Sequence, residues 1–245
     1  MDANRTTRGT VLMKMKFIAY AVAALFLMAA ASFAGWPQDK HHHNDVADES
    51  AKAAEGFRDI MKAPDKGIPR EVLDSAECVA VFPHTIKGGF IIGVRKGDGV
   101  VSCRTANGWS APVFLDMEGG SVGPQIGAQS TDYVLLFMNR SGIDHLLKNK
   151  LSLGGEASVA AGPVGREAGA STDWKMKAQI LSYSRSKGLF VGLELKGVKI
   201  SIDDSDMRGI YGEGVNASEV LKGTRPVPTE VQAFPMELAN YSMKK

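Results

Sequence analysis

Short apolar runs separated by glycines occupy most of the chain after residue 77. They begin with CVAVF, GFIIGVR and GVVSCR and continue at residues 111–116, 121–128, 133–138, 157–161, 176–184, 188–195 and 198–202. β-Branched and aromatic residues in runs of this length favour strands, and glycine marks their ends. The pattern predicts an antiparallel meander of short strands, with Gly88, Gly89, Gly97 and Gly99 in turns.

Helical spacing appears before, within and after this region. Val46, Ala53, Phe57, Ile60 and Met61 recur at three- and four-residue steps up to Pro64. Further short helices are predicted at residues 69–76, at 141–147, after Asn216, and at 229–241 with a break at Pro235. The regular strand–helix alternation of a parallel sheet is missing. We therefore expect an α+β fold with a mainly antiparallel sheet, in one domain that covers residues 45–245.

The N-terminus has the features of an export signal. Arg5, Arg8, Lys14 and Lys16 precede an apolar run at residues 17–34, which ends in small residues. This order predicts a cleaved signal peptide at 1–34. Its length of 18 residues leaves an uncleaved membrane anchor as the alternative. Residues 35–44, which include three consecutive histidines, are predicted to be a flexible leader.

The charge balance depends on that segment. The chain has 29 basic and 27 acidic residues. Residues 1–34 contain four of the basic residues and one of the acidic residues, so the exported part would carry 25 basic and 26 acidic residues. The excess of positive charge thus belongs to the targeting segment, and no nucleic-acid-binding footprint remains. An apolar fraction of 44% also excludes a disordered chain. The expected location is the periplasm or the envelope, or the medium if the protein is secreted.

The two cysteines allow limited chemistry. Export would place Cys78 and Cys103 in an oxidising compartment, where they form either one disulfide or two buried thiols; the sequence leaves both open. Two cysteines exclude a disulfide-dense scaffold and a four-cysteine zinc site. No Cys/His set has metal-ligand spacing, so no metal or cofactor is predicted.

One motif is typical of hydrolases. The sequence at residues 119–123, GGSVG, matches the G-x-S-x-G elbow around Ser121, and Asp132 or Asp144 precedes His145. The elbow requires a helix directly after the serine, but Gly123, Pro124 and Gly127 disfavour one. A serine hydrolase stays a minor alternative. Asp203, Asp204 and Asp206 lack the spacing of a calcium loop and are predicted to lie in a solvated turn.

An ordered series of motifs from about residue 54 to residue 221 resembles the SYLF domain, also called the Ysc84 actin-binding domain. The matching segments are KGGF at 87–90, GWSAP at 108–112, GGSVGPQIG at 119–127, DYVLL at 132–136, LGG at 153–155 and GPVGR at 162–166. The residues that carry the resemblance are Gly88, Gly89, Trp109, Ser110, Gly119, Gly120, Gly123, Gln125, Gly127, Asp132, Gly154, Gly155, Gly162, Pro163, Gly165 and Arg166.

This resemblance implies a non-enzymatic lipid-binding module whose partner is an anionic phospholipid or phosphoinositide-type membrane surface. Actin is not an expected partner of an exported protein. Attraction to anionic headgroups would require local basic clusters, each cation contributing about 1 kcal/mol. The candidate lipid contacts are Lys62, Lys66 and Arg70; then Lys87, Arg95, Lys96 and Arg104; and thirdly Lys175, Lys177, Arg185 and Lys187. The alternative is an exported structural or partner-binding protein without a lipid ligand.

Overall fold

The computed structural model describes residues 39–64, 67–89, 92–122, 127–148, 150–164, 178–185, 195 and 197–242. The predicted export signal therefore lies outside the described residues. Six α-helices occur in the described part: α1 (Asp39–Met61), α2 (Arg70–Ser75), α3 (Arg140–Lys148), α4 (Asp204–Tyr211), α5 (Ala217–Leu221) and α6 (Ala233–Tyr241). A 3-10 turn at Thr229–Val231 leads into α6.

Nine strands occur in the same part of the chain and form one sheet. They are β1 (Cys78–Gly89), β2 (Ile92–Thr105), β3 (Gly108–Trp109), β4 (Val113–Val122), β5 (Gly127–Phe137), β6 (Leu151–Ser152), β7 (Val159–Ala161), β8 (Ile180–Arg185) and β9 (Lys199–Ile202). Their order is β6-β9-β4-β2-β1-β5-β8-β7, with β3 paired to β2. All pairs are antiparallel except β7 with β8.

The four long strands depart from a simple meander. β1, β2 and β4 follow one another, but β5 lies beside β1 at the opposite edge of this group. The spatial order β5-β1-β2-β4 is that of a Greek key. A hydrophobic pattern alone predicts that strands exist, whereas their order depends on long-range pairing.

All four glycines predicted to lie in turns are inside strands instead. Gly88 and Gly89 belong to β1 and are paired with both β2 and β5. Gly97 and Gly99 belong to β2, next to the irregular part of β1 between Val81 and Ile86. A Cβ atom at Gly97 would lie 3.0 Å from the Cα of Thr85, and one at Gly99 would overlap the Val81 carbonyl and the Phe82 ring. These glycines permit close approach of two backbones, which is a second common use of glycine in strands.

Helix α1 starts earlier than expected. It begins at Asp39, so residues 39–44, predicted as part of a flexible leader, are helical. No glycine or proline interrupts residues 39–44, so the helix can extend through them. The helix lies over the sheet, where the Cβ position of Gly56 is 3.7 Å from Asp132.

The C-terminal segment packs against α1. The Ser50 hydroxyl donates to the Val231 carbonyl (2.8 Å), and the rings of Phe57 and Tyr241 meet edge to face with centroids 5.8 Å apart. Pro235, predicted to break the terminal helix, lies in the first turn of α6, where a proline removes no helical hydrogen bond. Helices α1 and α6 are therefore held together on the sheet.

The acidic run at 203–206 is also a helix start and not a turn between strands. Asp203 is the N-cap of α4, and its carboxylate accepts hydrogen bonds from the backbone N–H groups of Ser205 (2.8 Å) and Asp206 (3.0 Å). Asn216 caps α5 in the same way, as its sequence context predicts.

The core is continuous through the sheet and the helices that cover it. Its largest fully buried side chains include Phe57 of α1, Phe82 of β1, Phe114 of β4 and Phe234 of α6. From His42 onwards the chain forms one compact unit. The predicted α+β, mainly antiparallel, single-domain fold is confirmed. Within the described ranges, no helix has both the length and the apolar character needed to span a membrane.

Candidate functional site

The basic residues of β1 and β2 do not form the predicted cluster. Lys87 pairs directly with Arg95, but Arg95 is only 5% exposed and lies over the Tyr133 ring, 5.4 Å from its centroid. Lys96 is exposed on the opposite face of β2, beside carboxylates. Arg104 follows Arg95 by nine residues, which is about 30 Å along a strand.

Arg104 has a structural role. Its Nε donates to the Ala76 carbonyl (2.9 Å) and its Nη2 donates to the Leu73 carbonyl (3.0 Å), so the guanidinium caps the C-terminal end of α2. It lies 4.5 Å from the centroid of the Trp109 ring and 3.6 Å from the Asp74 carboxylate. A side chain fixed by these contacts stabilises the fold, and only 14% of its surface is exposed.

The other two predicted groups are only partly described. Lys62 and Arg70 are exposed near the α1–α2 junction, whereas Lys66 lies outside the described residues. In the third group Arg185 pairs with Asp59 of α1, and Lys175, Lys177 and Lys187 lie outside the described residues. Lys62 and Arg70 therefore stay candidates.

An acidic pocket of about 920 Å³ lies between the N-terminal half of α1 and the sheet. Its polar lining includes Asp45, Glu49, Asp98, Asp116, Asp203 and Asp206, opposed by Lys52, Lys96 and His84. The exposed side chains of Ile86 and Val94 form an apolar part of the wall. This excess of carboxylates disfavours an anionic headgroup beside Lys96.

Glu49 is the most perturbed group in the acidic pocket. Its Oε1 is buried and has no hydrogen-bond partner among the described residues. Burial raises the pKa of Glu49 to about 9, and the neighbouring carboxylates of Asp206 and Asp98 add to this effect. Glu49 therefore holds a proton at neutral pH, since desolvation and like charges both oppose ionisation.

A second concavity, the α6 groove, has the opposite charge. It has a volume of about 900 Å³ and runs between α6 and the β2–β3 turn. Its described lining contains three cations, Arg104, Arg140 and Lys222, and one carboxylate, Glu77. Trp109, Met236 and Ala239 add apolar surface. This groove combines positive charge with an exposed apolar wall.

Several of the motif residues that the structure describes stabilise the fold. A Cβ atom at Gly162 would overlap the ring of Tyr183, whose hydroxyl donates to the Pro163 carbonyl (3.1 Å). The Ser110 hydroxyl accepts from the Cys103 N–H (3.0 Å). Gly123, Gln125, Gly165 and Arg166 lie outside the described residues. Around Gly162 and Ser110 the motif therefore marks close packing.

Five further motif glycines lie at or near the ends of β1, β4 and β5: Gly88, Gly89, Gly119, Gly120 and Gly127. Gly89 pairs with Gly127, and Gly88 pairs with Ala128, so glycines of separate motifs meet at one end of the sheet. Gly154 has a φ of +79° in the turn after β6, a conformation that glycine adopts without strain.

The hydrolase constellation is not assembled. Ser121 lies within β4, paired with Gly93, and not at a strand-to-helix turn. Asp132 accepts a hydrogen bond from the His84 backbone N–H (2.8 Å) and lies 3.7 Å from that imidazole. His145 is exposed on α3. Among the described residues, no group of three or more His, Cys, Asp or Glu side chains has the geometry of a metal site.

Sequence reasoning missed Arg140, Lys222 and Met236. Each is a single polar or apolar residue at a helix end or on a helix face, and only the folded chain brings them to one groove. The available signal was weak: Met236 and Ala239 are three residues apart in a predicted helix, which places them on one face.

Comparisons with known proteins identify the family. The model of the Ysc84 family, described as "Las17-binding protein actin regulator", matches residues 118–241, about half of the chain. The chain belongs to the Ysc84 family. The SYLF resemblance expected from the motifs is thereby confirmed.

Curated relatives agree with this assignment. The human SH3 domain-containing YSC84-like protein 1 is 31% identical over 196 residues, which are 77% of this chain and 57% of that protein. From Saccharomyces cerevisiae, Protein YSC84 is 34% identical over 189 residues (74% and 40%), and LAS seventeen-binding protein 3 is 35% identical over 190 residues (74% and 41%). The chain thus spans about half the length of these relatives, which are named for their domains and binding partners and not for a catalysed reaction.

Proposed function

We propose that this chain is a non-enzymatic protein that binds anionic phospholipid at a membrane surface of the bacterial envelope. The observation that carries the proposal is the segregation of charge on a nearly balanced protein. Arg140 and Lys222 face one groove beside exposed apolar surface, whereas the carboxylates collect in a separate pocket. A protein of low net charge attracts an anionic surface only through such a local excess of cations.

The proposed location follows from the predicted signal and is supported by the cysteines. Cys78 and Cys103 are directly opposite each other in β1 and β2, and their sulfurs are bonded in the structure. Disulfides persist in exported proteins and are rare in reducing compartments. In an exported protein cytosolic actin is not accessible, so the lipid surface is the property we transfer from the family resemblance.

The alternative is a protein-binding role without lipid. LAS seventeen-binding protein 3, a relative of this chain, is named for a protein partner. This alternative would be favoured if the protein does not bind vesicles but forms a stable stoichiometric complex with one envelope protein.

Vesicle co-sedimentation tests the proposal. The protein recovered from cells is mixed with phosphatidylcholine vesicles, with or without 30 mol% phosphatidylglycerol (about one anionic lipid in three). We expect preferential binding to the anionic vesicles, and we expect added salt to weaken it because salt screens the attraction. Equal binding to both kinds of vesicle would contradict the proposal, and so would no binding to either.

A further inference from the structure

The α6 groove has an apolar wall that the protein leaves open to solvent. Met236 is 59% exposed, and Ala239, three residues later on α6, is also exposed. Trp109 lies at the base of the groove, and its indole N–H donates to the Ser242 hydroxyl (2.9 Å). Two exposed apolar side chains on one helical face, next to a fixed aromatic ring, form a surface suited to a hydrocarbon segment.

Two cations, Arg140 and Lys222, border this wall. Arg140 and Lys222 are both exposed, and neither has an ion pair with another described residue. Arg140 is the first residue of α3, where the helix dipole disfavours positive charge. Glu77 is the single carboxylate among the described lining residues. The positive charge of the groove is thus not balanced from within it.

We propose that the α6 groove binds one anionic glycerophospholipid, with its phosphate between Arg140 and Lys222 and its glycerol and upper acyl segment along Met236 and Ala239. This inference rests on the proposed function and assigns it a site. A small hydrophilic anion would use the cations and leave the apolar wall in water. An amphiphile uses both, which is the reason for choosing a lipid.

The dimensions agree with this occupant. A volume of about 900 Å³ is in the range of small-molecule sites. It accommodates a headgroup, the glycerol and part of one chain, while the remaining hydrocarbon stays in the bilayer. Arg104 contributes as a positioning residue, because its stacking on Trp109 fixes the ring at the base of the groove.

A soluble short-chain lipid tests the groove without a membrane. Dihexanoyl phosphatidylglycerol, below its micelle concentration, is titrated into the protein while the methyl signal of Met236 is followed by NMR. Dihexanoyl phosphatidylcholine and inorganic phosphate are the comparison ligands. We expect the anionic lipid to shift this methyl group and to bind more tightly than either comparison ligand. Equal affinity for inorganic phosphate would overturn the choice of a lipid.

Paired variants test the two cations. The double variant Arg140→Gln/Lys222→Gln should bind the anionic lipid about thirtyfold more weakly, since each cation contributes about 1 kcal/mol. Its matched control is Lys148→Gln/Lys199→Gln, which removes the same charge from exposed positions outside the groove lining. The control should keep its affinity within about twofold. Equal weakening of both double variants would overturn the site.

Blocking the groove tests the apolar wall. Ala239→Trp fills the groove from an exposed position, and Ala51→Trp places the same side chain on an exposed part of α1. Only Ala239→Trp should lose short-chain lipid binding. The wild-type protein could bind anionic vesicles preferentially and yet fail to bind the short-chain lipid. That result would overturn the groove as the lipid site and leave the proposed function standing. If the wild-type protein binds neither the short-chain lipid nor the anionic vesicles, the proposed site and the proposed function are both overturned.

Discussion

The guanidinium of Arg58 on α1 and the carboxylate of Glu237 on α6 form a bidentate ion pair. Arg58 Nε donates to Oε1 (2.8 Å) and Nη2 donates to Oε2 (2.9 Å), although 179 residues separate the two side chains. Glu237 is 7% exposed, so this pair is largely shielded at its acidic end. It joins the first described helix to the last and fixes one side of α6, the helix that lines the groove.

Replacement of Glu237 by Gln should weaken this junction in a pH-dependent manner. The hydrogen bonds from Arg58 lower the pKa of Glu237 below its usual 4.5. A lowered folded-state pKa gives stability that is present above pH 4.5 and is lost as the pH falls further. Urea unfolding should therefore show a less stable variant at pH 7 and a smaller difference near pH 3. Glu230→Gln, at an exposed position, is the control. Parallel curves for wild type and Glu237→Gln would contradict the assignment of the ion pair.

Glu49→Gln should stabilise the protein at neutral pH. The pKa of Glu49 is raised to about 9, so the wild type loses stability as the pH rises from about 4.5 toward 9. The amide cannot ionise, and the variant should be more stable by about 1–3 kcal/mol at pH 7. Urea unfolding between pH 5 and 9 checks this expectation. Glu55→Gln, at an exposed position of the same helix, is the control. A wild type that is as stable at pH 9 as at pH 5 would contradict the burial of Glu49.

Gly99→Ala should destabilise the fold, because its Cβ would overlap the Val81 carbonyl and the Phe82 ring. Overpacking of this kind costs about 1–3 kcal/mol. Gly120→Ala is the matched control, since nothing lies within 4 Å of a Cβ built there. Thermal unfolding of both variants measures the difference. Equal melting temperatures would show that the β1–β2 contact is looser than the structure indicates.

Removal of the disulfide should lower stability without changing the fold. Cys78 and Cys103 are 25 residues apart and 1% exposed. A crosslink of this length stabilises by about 2–4 kcal/mol through its effect on the unfolded chain. The double variant Cys78→Ala/Cys103→Ala should unfold at a correspondingly lower urea concentration. An unchanged midpoint, with the wild-type bond confirmed by mass spectrometry, would contradict this expectation.

Local sequence signals predicted the elements whose causes are local. The spacing of Phe57 and Ile60 indicated α1, the apolar runs indicated the strands, and Asn216 indicated the start of α5. The position of β5 beside β1 had no local signal, because strand order depends on pairing across the chain. The sequence predicts a turn at Gly99, because it does not distinguish a turn glycine from one that admits a neighbouring backbone.

The candidate site was harder to predict for the same reason. From the sequence, Arg104 is expected to be a surface cation. In the structure, carbonyls at the end of α2 and the Trp109 ring hold its guanidinium in place. From the sequence, Glu49 is expected on the polar face of a helix. Its burial arises only in the folded chain, where α1, the sheet and α4 meet. Arg140 and Lys222 are 82 positions apart in the sequence and share a groove only in the folded chain.

Photo-crosslinking in the native envelope tests the central claim most directly. Cells are supplied with a phosphatidylglycerol that carries a photoreactive group on its upper acyl chain, and the labelled peptides of this protein are mapped by mass spectrometry. We predict that label concentrates on the peptide of α6 that contains Met236 and Ala239, and that unlabelled phosphatidylglycerol competes for it. Labelling no higher than that of an unrelated envelope protein, or spread evenly over the chain, would contradict a lipid-binding role at this groove.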